Sequence, residues 1–131
     1  MIKKVLLITL MIVLLPTLAS AKRLFTEAKY QKMWCDYNKG TTEVILIDGT
    51  RADCLTNKNV IEVDYADKWY EAIGQALHYG TQLFSRRPGI VLIIEHRNDY
   101  RYFERMMNVI KEYKLPIDVW LIDNEGMMEN Y

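Results

Sequence analysis

Asp53-Cys54-Leu55-Thr56-Asn57-Lys58-Asn59-Val60-Ile61-Glu62-Val63-Asp64, followed closely by Lys68-Trp69-Tyr70-Glu71-Ala72-Ile73-Gly74-Gln75-Ala76-Leu77-His78-Tyr79, decides how this 131-residue chain is read. Residues 60–65 form a strand-like run. Side chains alternate along a strand, so Glu62 and Asp64 share one face and Ile61, Val63 and Tyr65 take the other. Asn57-Lys58-Asn59 is a turn, which makes 50–55 an antiparallel neighbour with Arg51, Asp53 and Leu55 on one face and Ala52 and Cys54 on the opposite one. Asp53 and Glu62 are then expected close together on the same face. Carboxylates gathered on one side of central strands repel each other and lose hydration, a cost that a divalent cation offsets. Oxygen-only ligands point to Mg²⁺ or Mn²⁺. The helix that follows carries Lys68, Glu71, Gln75 and Tyr79 at i, i+3, i+7 and i+11, beside an apolar side of Trp69, Ile73, Ala76 and Leu77. That polar stripe looks back over the acidic strands. Singly, each member has an ordinary reading: Lys68 and Glu71 as a surface pair, Gln75 as a solvated amide, Tyr79 as a core ring with its hydroxyl out.

Working outward, the hydrophobic period changes in an orderly way. Residues 24–34 suit an amphipathic helix, with Leu24, Phe25, Ala28, Met33 and Trp34 apolar, and Asn38-Lys39-Gly40 ends it. Residues 43–47 read as a strand turned back through Asp48-Gly49 into 50–55. Asp67 is the expected N-cap of a helix over 68–79. Pro88-Gly89 opens 90–95, a continuous apolar run typical of a strand buried on both faces. A third helix spans 99–113 with Phe103, Met106, Met107 and Ile110 inward, Pro116 stops it, and 117–122 is a fifth strand. The order α-β-β-β-α-β-α-β describes an α/β fold, a mixed sheet flanked by helices.

Residues 1–21 stand apart: Lys3 and Lys4, an apolar run from 5 to 15, Pro16, and Ala19-Ser20-Ala21 have the form of a secretory signal peptide cleaved after Ala21. Eleven apolar residues fall short of the roughly 20 that span a bilayer, and no Cys follows the site to carry a lipid, so no stable membrane insertion is expected after removal. Residues 22–131 then make one domain, exported to the periplasm or beyond. Cys35 and Cys54 are the two cysteines, and their spacing fits neither zinc nor a C-x-x-C redox motif. In an oxidising compartment they are expected to form a disulfide, worth roughly 3 kcal/mol for a loop of this length. Without the leader the chain carries 15 basic residues against 17 acidic ones. That balance argues against a broadly basic nucleic-acid surface, although Arg86, Arg87, Arg97, Arg101 and Arg105 cluster in sequence. A solvated face is the plainer reading for any one of them.

Asp53, the short hairpin, Glu62-Val63-Asp64 and the helix bearing Gln75-Ala76-Leu77-His78-Tyr79 together resemble the PD-(D/E)xK, or restriction-endonuclease-like, superfamily. The Gln-x-x-x-Tyr spacing is similar to the extra motif of its RecB-like nucleases. The chain also resembles small exported bacterial proteins that share this signature and are usually uncharacterised. The resemblance covers residues 27–95 and implies a metal-dependent nuclease in which Asp53 and Glu62 bind Mg²⁺ or Mn²⁺, with Glu27 as a further acidic contributor. Gln75 and Tyr79 would position the nucleic-acid backbone or the attacking water. DNA is the expected partner before RNA, and a homodimer is implied where both strands are cut. The family's lysine, two residues after Glu62, is Asp64 here. Either Lys68 reaches back to the same spot, or Asp64 is a third metal ligand and no lysine is needed. A non-catalytic module on the same scaffold, binding nucleic acid or a protein partner outside the cytoplasm, is the competing expectation. His78 and His96 rank below the acidic cluster, since a lone histidine with no partner in view is more often a packed or solvated side chain. No Gly-rich phosphate loop, H-E-x-x-H or nucleophile elbow occurs.

Overall fold

The computed structural model describes residues 22–131, and the leader expected over 1–21 lies outside them. Chain order runs α1 (Glu27–Tyr37), β1 (Thr41–Ile45), β2 (Arg51–Leu55), β3 (Asn59–Tyr65), α2 (Trp69–Gly80), β4 (Arg87–Ile94), α3 (Tyr100–Glu112), β5 (Asp118–Asp123) and β6 (Met128–Asn130). The six strands form one mixed sheet in sequence order. β1, β2 and β3 pair antiparallel, β3, β4 and β5 parallel, and β6 antiparallel to β5. The expected α/β order is present with β6 added. That edge strand has three residues and no burial alternation, so its pairing to β5 is what makes it a strand.

Strand alternation divides the core between the two faces of the sheet. Ile90, Leu92 and Ile94 of β4 pack under α2 and α3 with Trp69, Ala72, Ala76, Met106 and Ile110. Val91 and Ile93 turn the other way, joining Ile61, Val63 and Tyr65 of β3 beneath Tyr30, Trp34 and Cys35 of α1. Strands buried on both sides in this way read as unbroken apolar runs, and β4 does.

Helix α1 begins three residues later than the apolar pattern predicts. Glu95, at the end of β4, takes the segment before it out of the helix: its Oε1 accepts from Leu24 N at 2.9 Å, Phe25 N at 3.1 Å and the Tyr30 hydroxyl at 2.8 Å. The Tyr65 hydroxyl donates to Phe25 O at 2.6 Å. The buried face of α1 is therefore Tyr30, Gln31, Trp34 and Cys35, displaced from the expected set, with Trp34 common to both. Asp67 is not the N-cap of α2. A 3-10 turn over Ala66–Lys68 precedes the helix, no side chain caps it, and Asp67 instead pairs with Arg23 at 2.6 Å.

Cys35 and Cys54 are bridged, tying the last turn of α1 to β2, with Cα atoms 5.8 Å apart. Gly40 passes tightly over the bridge: a Cβ there would lie 2.5 Å from Cys54 Sγ and 2.8 Å from Cys35 Sγ, so only glycine fits. The hairpin turn lies over Leu46–Thr50, with Leu46 N donating to Thr50 O and Gly49 at φ 87°. His78 Nε2 lies 2.6 Å from Asp48 Oδ2, pinning that turn to the end of α2. His96 helps cap the 3-10 turn over Arg97–Asp99. Both histidines are thereby in structural contacts. Among the described residues no helix is long and apolar enough to cross a membrane.

Candidate functional site: a carboxylate cluster at a break in the sheet

The hairpin ladder pairs Thr42 with Cys54 and Val44 with Ala52, but Glu43 and Asp53 between them form no registered pair. Glu43 adopts φ 58°, a left-handed conformation uncommon for a residue with a side chain. On its other side β2 is registered to β3 only at Cys54–Ile61 and Leu55–Val60. Next in line, the Asp53 carboxylate rather than a backbone carbonyl accepts the Val63 N–H, at 2.7 Å. Such interruptions bend a strand and re-aim its side chains. They also correct the expectation that Ala52 and Cys54 share a face: Ala52 packs with Leu46, Val60 and Tyr79, whereas Cys54 packs with α1. Regular alternation does not carry through a break.

Gln31 fills that break from α1. Its Nε2 donates to Asp53 O at 2.9 Å and to Glu43 Oε1 at 3.0 Å, and the side chain is buried. Glu43 also pairs with Arg51. Neither Gln31 nor Glu43 was legible as part of the site. The available signal was one polar residue inside the buried run Tyr30, Gln31, Trp34, Cys35, one turn after Glu27.

Around the break four carboxyl groups meet as neighbouring pairs. Glu62 and Asp64 are only 4% exposed each, on the face of β3 that looks toward α2; Asp53 and Glu27 are half-buried. Burial and the adjacent Asp53 push the Glu62 carboxyl up to about 9. Burial and Glu27 push Asp64 up to about 7, opposed by Lys68. Burial and the Glu27 charge raise Asp53 to about 6, opposed by the bond from Val63. Glu62 and Asp53 release their protons as a unit, in two steps that belong to the pair. Glu62 Oε2 is buried without a hydrogen-bond partner.

The α2 stripe divides in the structure. Tyr79 is buried with its hydroxyl beside Glu62, held there by Gln75 Nε2 at 3.3 Å, and burial and the Glu62 charge raise its pKa. Gln75, Glu71 and Lys68 are exposed. Lys68 belongs to the 3-10 turn rather than to the helix and acts on Asp64 as a neighbouring positive charge. Asp53, Glu62, Asp64, Glu27, Lys68, Gln75 and Tyr79 thus occupy one region, and Glu71 is exposed with no ion pair among the described residues.

Among the described residues no three His, Cys, Asp or Glu side chains form one coordination sphere. The donor set is two carboxylate pairs, which fits an ion that keeps most of its own waters and takes one or two protein carboxylates, as Mg²⁺ does. The orphaned Glu62 Oε2 is the atom most in need of a cation or a proton.

The raised carboxyls make stability depend on pH. Folded pKa values above the unfolded ones mean that the folded state holds more protons than the unfolded state between about pH 4 and pH 9, so stability falls as pH rises through that window. Chemical denaturation in EDTA is expected to give a lower midpoint at pH 8.5 than at pH 5.5. Glu62→Gln should flatten the slope, since the amide stays neutral. Added Mg²⁺ should restore stability at the alkaline end. A slope of opposite sign in EDTA contradicts this account of the cluster.

Comparison of the chain with protein-family models, curated proteins and solved structures gave no match.

Proposed function

We propose that this chain is an exported, metal-dependent nuclease of the PD-(D/E)xK type, hydrolysing phosphodiester bonds in DNA before RNA. The observation that carries the reading is the Asp53–Glu62 carboxyl pair at the sheet break, with an unpartnered, buried Glu62 oxygen. A protein stores such a group at a cost, and functional sites are where strongly shifted carboxyls collect. The α-β-β-β-α-β order over residues 27–95 agrees with the core of that superfamily, and the disulfide agrees with an oxidising compartment.

Asp53 and Glu62 would hold Mg²⁺ or Mn²⁺, with Asp64 and Glu27 as the second acidic pair. A bound ion of this kind supplies a water of lowered pKa and a counter-charge for the phosphate. The protein's own groups set the stage for it. The Val63 N–H fixes the Asp53 carboxylate, Gln75 orients the Tyr79 hydroxyl toward Glu62, and Gln31 holds the break open from α1. Lys68 is the positive group whose charge opposes the rise at Asp64 and the candidate for the lysine that the family places two residues after Glu62.

The competing reading, a nuclease-like module that binds nucleic acid or a protein without cutting, is favoured by one observation: the position of that lysine is a buried acid, Asp64, while Lys68 is exposed. Plasmid and single-stranded DNA incubated with Mg²⁺ or Mn²⁺ separate the two. Metal-dependent cutting, lost in Asp53→Ala and in Lys68→Ala, is the expected result. Loss in Asp53→Ala alone removes Lys68 from the site and leaves Asp64 as a ligand. No cutting under any condition, with no calorimetric binding of either metal, favours the module.

A further inference from the structure

The five arginines that cluster in sequence are divided by the fold. Arg86 and Arg87 lie where β4 begins, and both are engaged: Arg86 Nε donates to Thr56 O at 2.8 Å and Arg87 Nε to Asp118 at 2.6 Å. Arg97, Arg101 and Arg105 lie past the other end of β4, spaced four residues apart along the 3-10 turn and α3, and all three are exposed. None of them forms an ion pair among the described residues. Spacing by four places Arg101 and Arg105 in one row of α3, and Arg97 precedes them in the 3-10 turn that leads into it. The row lies opposite Met106 and Ile110, the residues that seat α3 on the sheet.

Two further observations distinguish this row from an ordinary solvated face. The guanidinium groups are pre-arranged, since Arg101 and Arg105 lie 4.6 Å and 5.6 Å from the centroid of the Tyr102 ring and Arg101 donates to the Tyr102 hydroxyl at 2.8 Å. The row also starts at the end of the sheet where the parallel neighbours β3 and β4 both finish, just past Asp64 and Ile94. α3 packs on the turn Ala66–Lys68, through Met106 and Ala66 in one cluster, and β3 ends there just past Asp64. Residues 22–131 carry 15 basic against 17 acidic side chains, so an unpaired cationic row at that end is a local feature.

We infer that Arg97, Arg101 and Arg105 form a track for the phosphate backbone of a polynucleotide entering the carboxylate site. The 3-10 turn and the α-helical residues from Arg97 to Arg105 together rise about 12–14 Å, the axial length of roughly four phosphates at about 3.4 Å per phosphate on one strand. The inference rests on the nuclease reading for its direction, and its test separates the two. Affinity of the purified protein for labelled duplex and single-stranded DNA is measured in EDTA by fluorescence anisotropy over a range of salt concentrations. The compared variants are Arg97→Gln/Arg101→Gln/Arg105→Gln and, at the far end of α3, Lys111→Gln/Lys114→Gln. The arginine variant is expected to bind at least tenfold more weakly, with the slope of log K against log salt on duplex reduced by about 3, close to 0.9 per lost phosphate contact. The lysine variant should stay within twofold of the parent. Loss of binding in the arginine variant, with no version cutting DNA, upholds the track and overturns the nuclease. Unchanged affinity and slope in that variant overturn the track, even where the parent cuts. No salt-dependent DNA binding by the parent also overturns it.

Discussion

Asp53→Asn is expected to abolish metal-dependent cleavage while leaving the protein at least as stable as the parent. The amide oxygen still accepts the Val63 N–H, so the contact that closes the strand break survives. What disappears is one negative charge of the Asp53–Glu62 pair, together with its repulsion of Glu62. Losing a metal ligand removes several kcal/mol of transition-state stabilisation, on the order of a thousandfold in kcat/KM. Denaturation at pH 8 in EDTA, run beside the cleavage assay, shows whether the loss is chemical or a failure to fold. Cleavage within tenfold of the parent would remove Asp53 from the site, and with it the proposed metal pair.

Cys35→Ala/Cys54→Ala is expected to produce the largest change in stability. The bridge closes a loop with a sequence separation of 19, for which the chain-entropy account gives about 3 kcal/mol. In a domain of this size that is on the order of 10–20 °C in Tm. The effect should reach the site, because the bridge fastens α1, the source of Glu27 and Gln31, to the strand that carries Asp53. Cleavage at a temperature where both proteins are folded should therefore fall as well, and the urea midpoint should drop with a steeper slope, since the unbridged denatured chain exposes more surface. A loss below about 1 kcal/mol would show that buried packing around Trp34 and Tyr30, rather than the covalent tie, holds α1 in place.

Much of the fold was legible because period and punctuation agree along the chain. Asn57-Lys58-Asn59 set the turn before β3, and the alternation of Val60–Tyr65 placed Glu62 and Asp64 together on the face toward α2. The unbroken apolar run in β4 announced burial on both faces, and two cysteines behind a leader-like segment announced the bridge. Boundaries were less legible: β1 lies at Thr41–Ile45, two residues before the expected 43–47, and two of the other shifts have a long-range cause. Leu24 and Phe25 carry helix-compatible side chains, but their N–H groups are taken by Glu95, 70 or more positions away. Asp67 is a good N-cap by composition, yet Arg23 claims its carboxylate.

The sequence by itself determined which residues could form strands, helices and a carboxylate cluster, because alternation, helical spacing and turn chemistry are properties of neighbouring residues. Only the tertiary structure decided where regularity stops. The break at Glu43 and Asp53 exists because Gln31 of a separate helix supplies donors there and Val63 of the adjacent strand bonds to a side chain. The same holds for the arginines, which one stretch of sequence keeps together and the eight residues of β4 carry to opposite ends of the sheet. Long-range hydrogen bonds and strand direction leave no local periodicity, so these features become visible only once the strands are paired.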